Sequence, residues 1–113
     1  MQRALIVAAV AEIATGLALV FAPALVGQVL LGAALSGLAA TVARVAGIAL
    51  IGLGVACWPG PPTVGMLIYS ATVAVYLALL GLAGGSAGIL LWPAVALHVV
   101  LSVCLVLSWA KDR

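Results

Sequence analysis

The chain has 113 residues, 68% of them hydrophobic and 5% charged, with four Lys or Arg against two Asp or Glu and a formal net charge of +2. The surface of a soluble domain carries many more charges, so this composition excludes one, and it offers no basic patch for nucleic acid. From Val45 to Ala110 no formal charge occurs. At about 20 apolar residues per crossing, the length fits an all-α, polytopic membrane protein: one domain of four transmembrane helices.

The first apolar run covers about 4–22 and ends at Pro23, whose missing amide cannot continue a helix interior. Met1-Gln2-Arg3 before an apolar stretch, with Ala22-Pro23-Ala24 beyond it, imitates a secretory signal and its cleavage site. Glu12 interrupts that stretch, so we read a retained span. Ala24 to Ser36 is apolar but broken by Gly27, Gln28 and Gly32. It is too short to cross again, and predicts a short helix at the membrane interface between spans one and two. Ser36 is the expected N-cap of span two, about 37–58, which stops at Pro59-Gly60-Pro61-Pro62. Thr63 is the expected cap of span three, about 63–82. The glycine-rich segment 81–88 is the expected turn into span four, about 89–109.

Lys and Arg are retained on the cytoplasmic side, and Arg3, Lys111 and Arg113 flank the two ends. With an even number of spans, both termini are expected in the cytoplasm and the chain in the inner (plasma) membrane. Trp58, Trp92 and Trp109 all fall at expected helix ends, the level where indoles sit among headgroups.

Ionisable groups in hydrocarbon are costly and ask for a partner or a purpose. Glu12 and His98 lie near the centres of spans one and four. Arg44 lies about four residues, roughly 6 Å, before the centre of span two, and Tyr76 is offset to the same outer side in span three. Residues three or four apart share a helix face. Span one then carries Ala8, Glu12, Thr15 and Gly16; span two Gly37, Ala40, Arg44, Gly47, Ile51 and Gly54. Span three carries Gly65, Tyr69, Thr72 and Tyr76; span four Ala94, His98 and Ser102. The expectation is that these small-polar stripes face one another. Glu12, Arg44, Tyr76 and His98 then form a ligand- or proton-binding cluster, with Tyr69, Thr72, Thr15 and Ser102 beside it. The structural alternative makes Glu12 and Arg44 a buried ion pair that fixes helix register.

Other chemistry lacks its residues. Cys57 and Cys104 lack CxxC spacing and read as packing residues. One histidine and one mid-span carboxylate do not make a metal site, and no cofactor is expected. No nucleophile has a base beside it and no phosphate loop is present, so an enzyme is not expected.

The stretch Ala43-Arg44-Val45-Ala46-Gly47-Ile48-Ala49-Leu50-Ile51-Gly52-Leu53-Gly54, with Glu12, Thr15-Gly16 and Pro23 ahead of it, resembles the small four-helix bacterial membrane proteins of the DoxX-like type. The likeness is best in the first half of the chain. It implies the fold more firmly than an activity, since some members are thought to be subunits of quinone-linked oxidoreductases, and it carries over Glu12 and Arg44 alone. Length, span number and the pair Ala11-Glu12 are also similar to the small multidrug resistance family, in which the matching carboxylate exchanges protons for a cationic substrate in a dimer. Arg44 and His98 depart from that family, and an arginine in the pocket would repel a cation. The expected role is a small ligand-binding or accessory membrane subunit. A proton-coupled exporter and a purely structural subunit are the alternatives. The small-residue faces favour homo-oligomers or a partner in a membrane complex.

Overall fold

A computed structural model describes residues 2–84 and 88–112 of the chain. Met1, Arg113 and the 85–87 part of the expected turn lie outside the described residues. The described chain is all helix and connection: α1 (Gln2–Phe21), α2 (Pro23–Leu31), α3 (Gly37–Cys57), α4 (Pro62–Leu82) and α5 (Leu91–Asp112). The four long helices α1, α3, α4 and α5 are each long and apolar enough to cross a membrane, and α2 is the short helix between spans one and two. The chain is therefore a multi-pass membrane protein. Its packing agrees, because the only buried apolar side chains described are Ala9, Ile48, Val73 and Ala74. Hydrocarbon around the helices must take the place of a soluble core.

The helix ends follow the breakers, with two differences in the caps. Ser36 sits at the N-cap of α3 in extended backbone, yet its side chain makes no capping bond. Thr63 does not cap α4: Pro61 holds that place and Pro62 opens the helix, because a proline in the first turn gives up only an amide that has no partner there. The interfacial helix is shorter than the 24–36 stretch suggests. It starts at Pro23 and ends at Gly32, whose φ of 81° is left-handed backbone that glycine adopts without penalty.

The long helices lie side by side in chain order. Among the described residues α1 packs on α3, α3 on α4 and α4 on α5, while α1 touches neither α4 nor α5. The Cα extents of 43 × 35 × 16 Å match such a row, since three interaxial spacings of 8–10 Å plus a helix width span roughly 30–35 Å. The bundle is thus open, with α1 and α5 as its two edges.

Glycines set two of the contacts. A Cβ on Gly16 would lie 2.5 Å from the Gly47 carbonyl oxygen, and one on Gly52 would lie 2.9 Å from that of Gly65. Backbones this close exclude any side chain, the packing that small residues allow between membrane helices. On α3, Gly47 and Gly54 face α1 whereas Gly52 faces α4. One helix therefore carries close-approach surfaces on two sides, which makes it the inner member of the row.

Candidate functional site

The proline that ends α1 creates the first polar contact. Pro23 offers no amide to the last turn of α1, and carbonyls there lack partners in a medium without water. Arg44 of α3 reaches across, and its Nε donates to the Val20 carbonyl oxygen over 3.1 Å. A cation at a helix C-terminus also meets the negative end of the helix dipole. In this position Arg44 ties α1 to α3 at the point where the chain turns into α2.

Glu12 is not its partner. Gly16 opposes Gly47, and Gly54 opposes Ala9 and Ile13, so the antiparallel register sets Glu12 level with Ile51. That is seven residues from Arg44, about 10 Å along the axis. The ion pair weighed from the sequence does not form among the described residues: Glu12 is half-buried on α1, with no hydrogen bond or ion pair. The physical reason is that glycine contacts set the register, while the carbonyls exposed by Pro23 compete for the guanidinium.

A second polar contact lies between α4 and α5. His98 Nδ1 is 2.8 Å from the Ala94 carbonyl oxygen. A carbonyl only accepts, so Nδ1 carries the proton, and in the neutral ring Nε2 is left as a lone-pair acceptor. Ser102 Oγ donates to the His98 carbonyl oxygen over 2.7 Å. The Tyr69 ring meets the imidazole edge-on, with centroids 5.7 Å apart and planes at 74°. Tyr69, placed beside the cluster from the sequence, is thus the tyrosine against His98. Tyr76 is half-buried on α4 with no hydrogen bond among the described residues.

Of the remaining candidates, Thr15 is exposed and donates back to the Ala11 carbonyl oxygen over 2.8 Å, and Thr72 is exposed on α4. The expected single cluster is therefore divided in two: Arg44 with the end of α1, and Tyr69 with His98 and Ser102. Glu12 and Tyr76 belong to neither contact. A further polar group was not singled out from the sequence. Ser70 is 0% exposed and its Oγ has no hydrogen-bond partner. Its place between Tyr69 and Ala71 was the only available signal, and the face it occupies depends on how α5 lies against α4.

Beside Tyr69 a groove of about 230 Å³ runs between α3 and α4, lined by Ala49, Gly52, Leu53, Ala56, Met66 and Tyr69. Cys57 and Cys104 are free and exposed. Among the described residues no three His, Cys, Asp or Glu side chains converge.

The class defined by this geometry is a small polytopic helical membrane protein with an open row of spans. Compared with protein-family models, curated proteins and solved structures, the chain matches none.

Proposed function

We propose that this protein is a small accessory or ligand-binding subunit of an assembly in the inner membrane, with both termini cytoplasmic. The observation that carries the reading is the open row. No described side chain of α5 is buried, and α1 is covered on one side by α3 with only the short α2 beside it. Helices that end a row this way suit docking to a second copy or to another membrane protein. The grooves of the row open to the bilayer, which suits a lipophilic ligand better than a water-borne substrate. Subunits of quinone-linked oxidoreductases among DoxX-like proteins are compatible with such a role.

Native mass spectrometry of the protein extracted in lipid nanodiscs tests the proposal. The expected mass exceeds one chain, through a second copy or a different protein. A lone chain, folded and without bound molecules, refutes it.

The second reading, a proton-coupled exporter, is favoured by one observation: Glu12 sits mid-span with no cation beside it, because Arg44 is engaged elsewhere. Under that reading Glu12→Gln abolishes pH-driven substrate efflux from proteoliposomes, whereas under the accessory reading it leaves the assembly mass unchanged.

A further inference from the structure

Tyr69 belongs to two features at once. It lines the α3/α4 groove, and its ring meets His98 across the α4/α5 contact. The groove walls are otherwise apolar, built from Ala49, Gly52, Leu53, Ala56 and Met66. At its Tyr69 end there is more hydrogen-bonding capacity than the protein itself uses. His98 Nε2 is a bare acceptor, because Nδ1 is committed to the Ala94 carbonyl. The Tyr69 hydroxyl has no partner among the described residues, and the next residue, Ser70, holds a fully buried hydroxyl that is also unpartnered. In hydrocarbon such groups gain strongly from a bonding partner, since no water competes for them.

Formal charge is kept away from this place. Leu53 lines the groove, and nine residues at about 100° each put it on the side of α3 opposite Arg44. Glu12 is on α1, beyond α3. A charged headgroup would meet no counter-charge here, whereas a hydroxyl donates to an imidazole acceptor and accepts from a phenol. The volume of about 230 Å³ holds one ring or a length of alkyl chain, not a whole phospholipid.

We infer that the groove binds a neutral lipophile bearing a hydroxyl group, with its chain or ring along Ala49, Gly52, Leu53, Ala56 and Met66 and its hydroxyl donating to His98 Nε2 beside Tyr69. This rests on the ligand-binding part of the proposed function and gives that ligand a chemical class. Tyr69 and His98 select the hydroxyl, and the small residues of α3 admit the chain.

The test is photolabelling in zwitterionic nanodiscs with four probes that share one diazirine-bearing hexadecyl chain: the alcohol, its methyl ether, the carboxylic acid and the trimethylammonium. Labelled residues are mapped by mass spectrometry. The alcohol should label the Leu53 and Met66 region about tenfold more than the ether, the effect of one hydrogen bond lost in an apolar site. His98→Phe should bring the alcohol down to the ether level, and Leu53→Trp should block both probes by filling the groove. If His98→Phe does not fold, Tyr69→Phe replaces it, because it keeps the ring contact and removes the hydroxyl; labelling should again fall. Equal labelling by alcohol and ether overturns the inference, as does preference for either charged probe or labelling spread evenly over the lipid-facing surface. Native masses of the same samples separate the two claims. An intact assembly without groove labelling sinks the ligand class alone, and groove labelling of a lone chain sinks the accessory role alone.

Discussion

A methyl group added at Gly16 would lie 2.5 Å from the Gly47 carbonyl oxygen, 2.7 Å from Cγ1 of Ile51 and 3.1 Å from the Ile51 amide nitrogen. Ordinary contact begins at 3.4 Å, so α1 and α3 must separate locally by roughly 1 Å. A gap of that size forfeits about a quarter to a half of the dispersion energy of the atoms it parts. Two of the obstructing atoms are backbone, which cannot rotate away. Overpacking of this kind costs about 1–3 kcal/mol, against which alanine recovers about 0.5–1 kcal/mol of helix propensity over glycine. Gly16→Ala should therefore destabilise the protein by about 1–2 kcal/mol, and Gly16→Leu by more. Ala14→Leu, on the exposed side of α1, should stay within about 0.5 kcal/mol of the parent. Reversible unfolding in mixed micelles of dodecylmaltoside and dodecyl sulfate, followed by tryptophan fluorescence, measures both. A neutral Gly16→Ala beside a destabilising Ala14→Leu would mean that α1 packs through its opposite face, and the register that separates Glu12 from Arg44 would fall with it.

Gly16→Ala and Gly52→Ala act on different contacts, one with α3 against α1 and the other with α3 against α4, so their costs should add within about 0.5 kcal/mol; strong coupling would indicate a closed bundle instead of a row. Arg44→Met should leave the last turn of α1 without its cross-helix donor, and hydrogen exchange at residues 21–24 should speed up while the centre of α3 is unchanged; an unaltered α1 end would show that the Val20 contact holds nothing. A thiol reagent that cannot cross membranes should label Cys57, at the end of α3, only from the cytoplasmic side, and should fail to label Cys104 inside α5. Labelling of Cys57 from the outside would invert the proposed topology.

The four spans and their limits were legible in the sequence because they depend on local chemistry. Charge-free length fixes the number of crossings, and Pro23, the Pro59–Pro62 segment and the glycines from 81 onward mark where helices stop. The tryptophans obey the same one-dimensional rule: Trp58 caps α3, Trp92 opens α5 and Trp109 lies in its last turns. Even the central place of α3 was readable, since Gly47 and Gly52 stand about 140° apart on the helix wheel and so mark two close-packing sides.

Which polar residues meet was decided by tertiary structure alone. Equal depth in the bilayer suggested one cluster of Glu12, Arg44, Tyr76 and His98, but depth says nothing about register or about which helices are neighbours. The close approach of Gly16 to Gly47 moved Glu12 out of reach of Arg44, and the carbonyl of Val20 gave the guanidinium another partner. The open order α1, α3, α4, α5 kept α1 away from His98, and the lie of α5 on α4 put Tyr69 against the imidazole. Periodicity gives each helix a polar side. Only backbone contact distances decide what that side faces.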